Sequence, residues 1–292
     1  MKPAPFVYSA PASLAEALAL MHQYGDEAKI LAGGQSLIPV MNFRLAQPTR
    51  LVDLNGLGEL GFIRAEKDGL HIGAMTRQRA VERSPLVATH APLVQETMPF
   101  IAHPQIRNRG TFGGSIAHAD PSAELPAIAV ALEARLRLQR QGGERWVQAP
   151  DFFTGLLATD MAPDEILTEI VLPPLAPGTV TGFMEFARRH GDYALVGVAA
   201  ALTFSPSHVC TSARLVYLSV GEMPTVAVRA SALLVGEKLT AEGINAAVNL
   251  AATEEIEPSD DIHATVAYKR HLAQVLTRRV LLTVEERLGT GD

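Results

Sequence analysis

The sequence predicts an α+β protein of two domains. Three observations carry that expectation. The 292 residues suffice for two domains of ordinary size, and at 48% hydrophobic against 19% charged they can bury a substantial core. Strand-like and helical stretches are grouped rather than strictly alternating: three strands and then two helices fill the last third. Between these parts the run Leu172-Pro-Pro-Leu-Ala-Pro-Gly178 reads as a linker, dividing the chain into 1–175 and 179–288.

Taken in order, Ser13-Leu-Ala-Glu16 fits a capping box, Leu14, Ala17, Leu18 and Met21 mark one helical face, and Gly25 is a C-terminal stop. Residues 29–32 read as a short buried strand, 37–43 as a helix with Pro39 in its first turn, and 51–54 as a second strand. Gly56-Leu-Gly-Glu-Leu-Gly61 formally matches G-x-G-x-x-G. A dinucleotide fingerprint needs a helix opening there. The turn signal Asp68-Gly69 leaves no room for one, so the match reads as accidental.

Residues 70–75 then read as a strand, and 76–102 as helix broken by Pro85, Pro92 and Pro99. Residues 123–132 are apolar enough for a buried helix, with Pro126 in its first turn. Leu136 and Leu138 alternate as a strand, and 164–172 form another. Beyond the linker, 183–188, 196–204 and 214–220 read as strands, and 241–252 and 264–288 as helices. The second of these keeps Leu272, Val275, Leu276 and Val280 beside a basic face.

Composition excludes several classes. A net charge of −6 without a basic cluster argues against a nucleic-acid partner. The single cysteine, Cys210, rules out an internal disulfide and an all-cysteine iron–sulfur cluster; it reads as a turn or strand-edge thiol. No signal-peptide pattern and no apolar run of about 18 residues is present, so a cytoplasmic protein is the default. The nine histidines show no compact metal spacing, and no protein-bound metal is expected. P-loop and G-x-S-x-G strings are missing, leaving NTPase and serine-hydrolase readings without support.

The informative strings are two glycine pairs, Lys29-Ile-Leu-Ala-Gly-Gly-Gln-Ser-Leu-Ile-Pro39 and Arg109-Gly-Thr-Phe-Gly-Gly-Ser-Ile-Ala-His-Ala-Asp-Pro121. Glycine admits close backbone approach, and successive loop amides then form a nest suited to phosphate. Two such loops would grip the two phosphates of a dinucleotide from opposite sides. Taken singly, each pair reads rather as an ordinary tight turn; the two strings together do not.

Together these strings closely resemble the FAD-binding medium subunit of the molybdenum hydroxylases, the carbon monoxide dehydrogenase and xanthine dehydrogenase family. Leu51-Val-Asp-Leu-Asn55, Ile72-Gly-Ala-Met-Thr76 and Gly191-Asp-Tyr-Ala194 also fit, so the resemblance covers almost the whole chain. It implies a two-lobed FAD-binding domain of the PCMH type, with lobes of about 1–57 and 58–175. A smaller α+β C-terminal domain with a three-stranded antiparallel sheet would follow. It assigns to FAD Lys29, Ile30, Leu31, Ala32, Gly33, Gly34, Gln35, Ser36 and Leu37 from the first string. From the second it assigns Gly110, Thr111, Gly113, Gly114, Ser115 and Ala117.

Ile101 and Ala102 correspond to apolar residues near adenine, and Ile166 and Leu167 to the flavin pocket; otherwise all four are core. Glu124 is a ribose or adenine contact, or simply a carboxylate favoured at a helix N-terminus. Tyr193 would shield or gate the isoalloxazine, or is a packed strand-end tyrosine. Arg188 and Arg189 would stabilise reduced flavin or meet an acidic partner, or are solvated.

The implied function is an electron relay. A large molybdenum-cofactor subunit oxidises substrate, a small subunit with [2Fe-2S] clusters passes the electrons on, and FAD here delivers them to a terminal acceptor. The assembly implied is a dimer of heterotrimers. Two alternatives stay open: a stand-alone FAD-dependent oxidase or reductase, and a non-catalytic dinucleotide-binding scaffold.

Overall fold

A computed structural model describes residues 2–290. The Ser13 hydroxyl accepts the Glu16 amide at 3.2 Å, and the Glu16 carboxylate accepts the Ala12 amide at 2.7 Å. The capping box thus closes one residue further back than its usual form. Helix Leu14–Tyr24 stops at Gly25, whose φ of +45° suits glycine. It buries Ala17 and Met21 beside a parallel sheet whose strands lie in the order Val7–Ser9, Arg50–Asp53, Ala28–Leu31. Strand Val7–Ser9 was not expected; three largely exposed residues carry no readable alternation.

The second sheet has five antiparallel strands in the order Ile63–Glu66, Gly69–Gly73, Ile166–Leu172, Arg135–Arg140, Gly143–Gln148. The helical stretch broken by prolines becomes Gln78–Glu82, Pro85–His90, Pro92–Thr97 and the 3-10 turn Met98–Phe100. Each of the three prolines sits in the first turn of its piece, where a missing N–H costs nothing. Gly56 to Gly61 holds only a 3-10 turn, and Gly58 faces open space, so the fingerprint match is indeed accidental.

All eight residues of helix Glu124–Ala131 are buried. Its core is shared with Leu70, Ile72, Leu136 and Ile170 of the five-stranded sheet and with Ala199, Val216 and Leu218 of the C-terminal sheet. That double burial explains an apolar helix without a polar face.

The C-terminal sheet contains the three expected long strands, Thr179–Ala187, Ala194–Phe204 and Cys210–Leu218. The two-residue strand Thr225–Val226 adds a short fourth edge that no sequence pattern could announce. Helices Ala241–Leu250 and Val266–Thr290 cover one face, the first ending in a π turn, Ala251–Glu255. Cys210 is fully buried, its thiol 3.2 Å from the Ser212 carbonyl, and burial raises its pKa. Arg287 reaches back from the last helix to Glu96 at 2.9 Å and to the Thr181 carbonyl at 2.6 Å.

His71 yields a pH prediction. Its ring lies between Glu169 (Nδ1, 2.7 Å) and Asp68 (Nε2, 2.9 Å), with Glu66 at 4.0 Å. Arg135 pairs with Asp68 and Arg137 with Glu169. Burial disfavours the charged ring, but the two carboxylate hydrogen bonds outweigh it and the pKa is raised. A raised pKa stabilises the fold fully below the unfolded value of 6.5, and the gain is lost as pH rises through the folded value. The expected outcome is that wild type loses Tm on going from pH 6 to pH 9 (roughly the window of a raised histidine). His71→Leu should show a flatter profile, and equal slopes would refute the assignment.

Candidate cofactor site

Strand Ala28–Leu31 ends at the edge of the parallel sheet, and the chain turns through Ala32 to Ser36 into helix Leu37–Asn42. The Gln35 side chain donates to the Gly33 carbonyl at 2.9 Å and so holds the turn. Gly34 has φ +71°, a conformation only glycine adopts freely. The amides of Gly33, Gly34, Gln35 and Ser36 find no protein acceptor among the described residues. Ser36 sits at the N-cap position without a capping bond, so its hydroxyl is available too. Gly33, Gly34 and Gln35 border a cleft of about 350 Å³ lined by Leu31 to Gln35, Ile38, Pro39, Asn42, Asp53, Asn55 and Arg109, with Ser36 next to it in sequence.

The second string behaves differently. Thr111 caps helix Phe112–His118, its hydroxyl accepting the Gly114 amide at 3.0 Å. The amides of Gly110, Phe112, Gly113 and Ser115 donate to the carbonyls of Ile106, Thr76, Ala74 and Thr111. Two symmetric amide nests were expected; the first loop keeps four consecutive amides open, whereas in the second only that of Thr111 finds no acceptor among the described residues. The second loop spends the others on the preceding turn, on docking to the end of strand Gly69–Gly73 and on its own helix.

The glycines themselves serve backbone contact. A Cβ on Gly33 would lie 2.5 Å from the Arg109 carbonyl oxygen and 2.7 Å from Gly110 Cα. On Gly113 it would lie 2.4 Å from the Ala74 Cβ, and on Gly114 2.5 Å from the Thr111 hydroxyl. The two strings, distant in sequence, therefore touch backbone to backbone.

A polar chain crosses this junction. Arg77 donates through Nη2 to Asn55 Oδ1 at 2.6 Å and through Nη1 to the Arg109 carbonyl. Asn55 Nδ2 donates to the Ala32 carbonyl at 2.8 Å and to Asp53. Asp53 also accepts the Asn55 amide at 2.8 Å and the Tyr8 hydroxyl at 2.6 Å. Asp53, Asn55, Arg77 and Arg109 carried no assigned role in the sequence reading. The available signal was a polar pair following a strand, because ligands gather at the carboxyl ends of parallel strands.

The remaining candidates lie outside the cleft lining. Lys29 and Ile30 belong to the strand, and Ser36 and Leu37 to the helix start. Ile101 is buried, and Ala102 adopts φ +43°. Both their carbonyls accept from Arg107 Nη1, at 2.7 and 3.1 Å, while Arg107 pairs with Glu82 through Nε and Nη2. Ile166 and Leu167 are buried in their strand. Ala117 lies on the helix that Thr111 caps.

Glu124 is buried at the start of its helix, and desolvation pushes its pKa up to about 7. Nearby Glu185 is pushed up to about 8 by burial and by the Glu124 charge, and its Oε2 has no hydrogen-bond partner among the described residues. Tyr193 is 66% exposed, not packed at a strand end. Arg188 pairs with His263 at 2.6 Å. Among the described residues one trio, Glu66, Asp68 and His71, has metal-like proximity, but both nitrogens of His71 already face carboxylates.

Comparison with known proteins gives two family matches. Residues 4–175 match the FAD binding domain in molybdopterin dehydrogenase, and residues 181–284 match the CO dehydrogenase flavoprotein C-terminal domain. The chain is 38% identical to the 6-hydroxypseudooxynicotine dehydrogenase complex subunit alpha of Paenarthrobacter nicotinovorans, over 96% of this chain and 95% of that one. It is 38% identical to the carbon monoxide dehydrogenase medium chain of Hydrogenophaga pseudoflava, over 96% and 97%. Among solved structures, carbon monoxide dehydrogenase from Hydrogenophaga pseudoflava superposes with a TM-score of 0.94 at 38% identity, covering 98% of this chain and 99% of that one. Quinoline 2-oxidoreductase from Pseudomonas putida 86 gives 0.93 at 38% identity, covering 99% of each.

Proposed function

Because the chain belongs to the FAD-binding medium subunits of the molybdenum hydroxylases, we propose that the cleft beside Gly33 to Ser36 holds the pyrophosphate of FAD. The protein is the electron-transfer subunit of a multi-subunit oxidoreductase with large and small partners. The carrying observation is that Gly33, Gly34 and Gln35, whose amides find no acceptor among the described residues, line a cleft that Arg109 also lines. Backbone donors and a guanidinium suit a diphosphate.

Bound FAD supplies the redox chemistry, exchanging electrons singly or in pairs. The residues of this chain hold and orient it. Ser36 adds a hydroxyl donor. Thr111 accepts from Gly114 and keeps its own proton to donate. Glu124 is assigned to the ribose or adenine end, and its raised pKa lets it serve there as donor or acceptor near neutral pH. Lys29 to Leu37, Ile101, Ala102, Gly110 to Ser115, Ala117, Ile166, Leu167 and Tyr193 complete the proposed contact set, with the FAD-binding unit at 1–175 and the C-terminal unit at 179–288.

The molybdenum cofactor and [2Fe-2S] clusters reside on the partner subunits; one cysteine in this chain cannot supply the four thiolates of an all-cysteine cluster. We assign the assembly as a cytoplasmic dimer of heterotrimers. No helix among the described residues is long and apolar enough to cross a membrane.

Denaturing the purified protein should release FAD into the supernatant; FMN, no flavin, or flavin retained on the chain would defeat the proposal. The isolated chain should be reduced by dithionite and, under anaerobic conditions, stay oxidised in the presence of the complex's substrate. Rapid bleaching without partners would instead favour a stand-alone oxidase.

A further inference from the structure

We propose that Asn55 and Arg77 are positioning residues for FAD, forming a two-side-chain brace that sets the separation and orientation of the two glycine loops. The proposal rests on the reading that the cleft holds the FAD pyrophosphate. Ala32 and Arg109 immediately precede Gly33 and Gly110, the two backbone positions in direct contact. Asn55 Nδ2 holds the Ala32 carbonyl at 2.8 Å, Arg77 holds the Arg109 carbonyl, and the two side chains are joined at 2.6 Å.

A peptide is planar, so fixing the Ala32 carbonyl fixes the plane that carries the Gly33 amide. That amide is the first of the four open donors. Asp53, anchored by Tyr8, accepts from both the backbone and the side chain of Asn55 and so fixes its rotamer. With its carboxamide oxygen turned to Arg77, Asn55 uses both ends of the amide.

Electrostatics point the same way. Burial and the neighbouring Arg109 charge both lower the Arg77 pKa, and Asp53 offsets them only in part. Two guanidinium groups held this close favour an anion beside them. Neither Asn55 nor Arg77 packs in a hydrophobic core, and Asn55 is exposed, so replacing them leaves the fold standing.

The test is a double-mutant cycle on FAD affinity, measured by titrating flavin-free protein and following flavin fluorescence. Asn55→Ala and Arg77→Met should each weaken binding about 10- to 100-fold, the range for losing hydrogen bonds to a charged group. The double variant should be no weaker than the weaker single, because either change breaks the same bridge. Arg77→Lys should remain weak, since an ammonium cannot span two acceptors as a planar fork does.

The Tm of each flavin-free variant should match that of flavin-free wild type, separating positioning from folding. Unchanged affinity in either single variant, losses that multiply, or full rescue by lysine would each overturn the brace. Failure of wild type to bind FAD would defeat the reading of the cleft itself.

Discussion

Gly33→Val is expected to give a protein that emerges from purification without flavin. The new Cβ would sit 2.5 Å from the Arg109 carbonyl oxygen, 2.7 Å from Gly110 Cα and 3.0 Å from the Arg109 carbonyl carbon. All three are backbone atoms, so no side chain can swing aside. Relief requires the two loops to separate at the edge of the cleft. Overpacking of this kind costs about 1–3 kcal/mol. If that penalty falls on the bound geometry, FAD affinity drops on the order of 10- to 100-fold.

The measurement is the flavin-to-protein absorbance ratio, followed by titration with added FAD. Gly58→Ala is the control, because its surroundings are open and its backbone unstrained. A flavin-replete Gly33→Val, or a flavin-free Gly58→Ala, would sink the assignment of the cleft.

Arg107→Met should have the largest effect on stability. Arg107 is 4% exposed, pairs with Glu82 at 3.0 and 3.1 Å, and donates to the carbonyls of Ile101 and Ala102. Removing it leaves Glu82 with Arg79, at 2.7 Å, as its remaining ionic partner and frees an alanine held at φ +43°. Losing hydrogen bonds to a charged group costs about 1.5–3 kcal/mol, or a fall in Tm of roughly 5–10 °C for a chain of this size.

The pH dependence adds a second readout. Burial alone would raise the Glu82 pKa, but hydrogen bonds from Arg107 and Arg79 outweigh it and the value is lowered. That stabilisation exists above the ordinary carboxylate range and is lost as pH falls through the folded pKa. The stability deficit of Arg107→Met should therefore be wider at pH 7 than at pH 4. A deficit independent of pH would mean that packing, not the ion pair, is what arginine supplies. Arg107→Lys should recover only part of the loss, because it cannot grip Glu82 and two carbonyls together.

Much of this molecule was legible in the order of its residues. The capping box at Ser13, the stop at Gly25 and the prolines opening short helices are local decisions, made by neighbours within a few residues. The two glycine strings marked the family because their resemblance to it is a linear pattern. The accidental fingerprint at Gly56 was dismissed on equally local grounds, the turn at Asp68-Gly69.

Strands Val7–Ser9 and Thr225–Val226 escaped because they are too short to show alternation; pairing with a neighbouring strand creates them. The unequal use of the two glycine loops also escaped. An amide is open or spent according to which carbonyl the fold brings opposite it, and Ala74 and Thr76 lie far from Gly113 and Phe112 in sequence.

The sequence by itself determined the class of the protein, because the two glycine strings carry the family resemblance, and its one cysteine excluded an all-cysteine cluster within this chain. The partners that carry the metal centres follow from that resemblance and not from composition. Only the tertiary structure decided why Gly33 must be glycine, which loop offers donors, and that Asn55 and Arg77 join the loops. Each of those facts is a distance between residues separated by tens of positions. Such distances are set by the packing of two sheets and a buried helix, which no local pattern encodes.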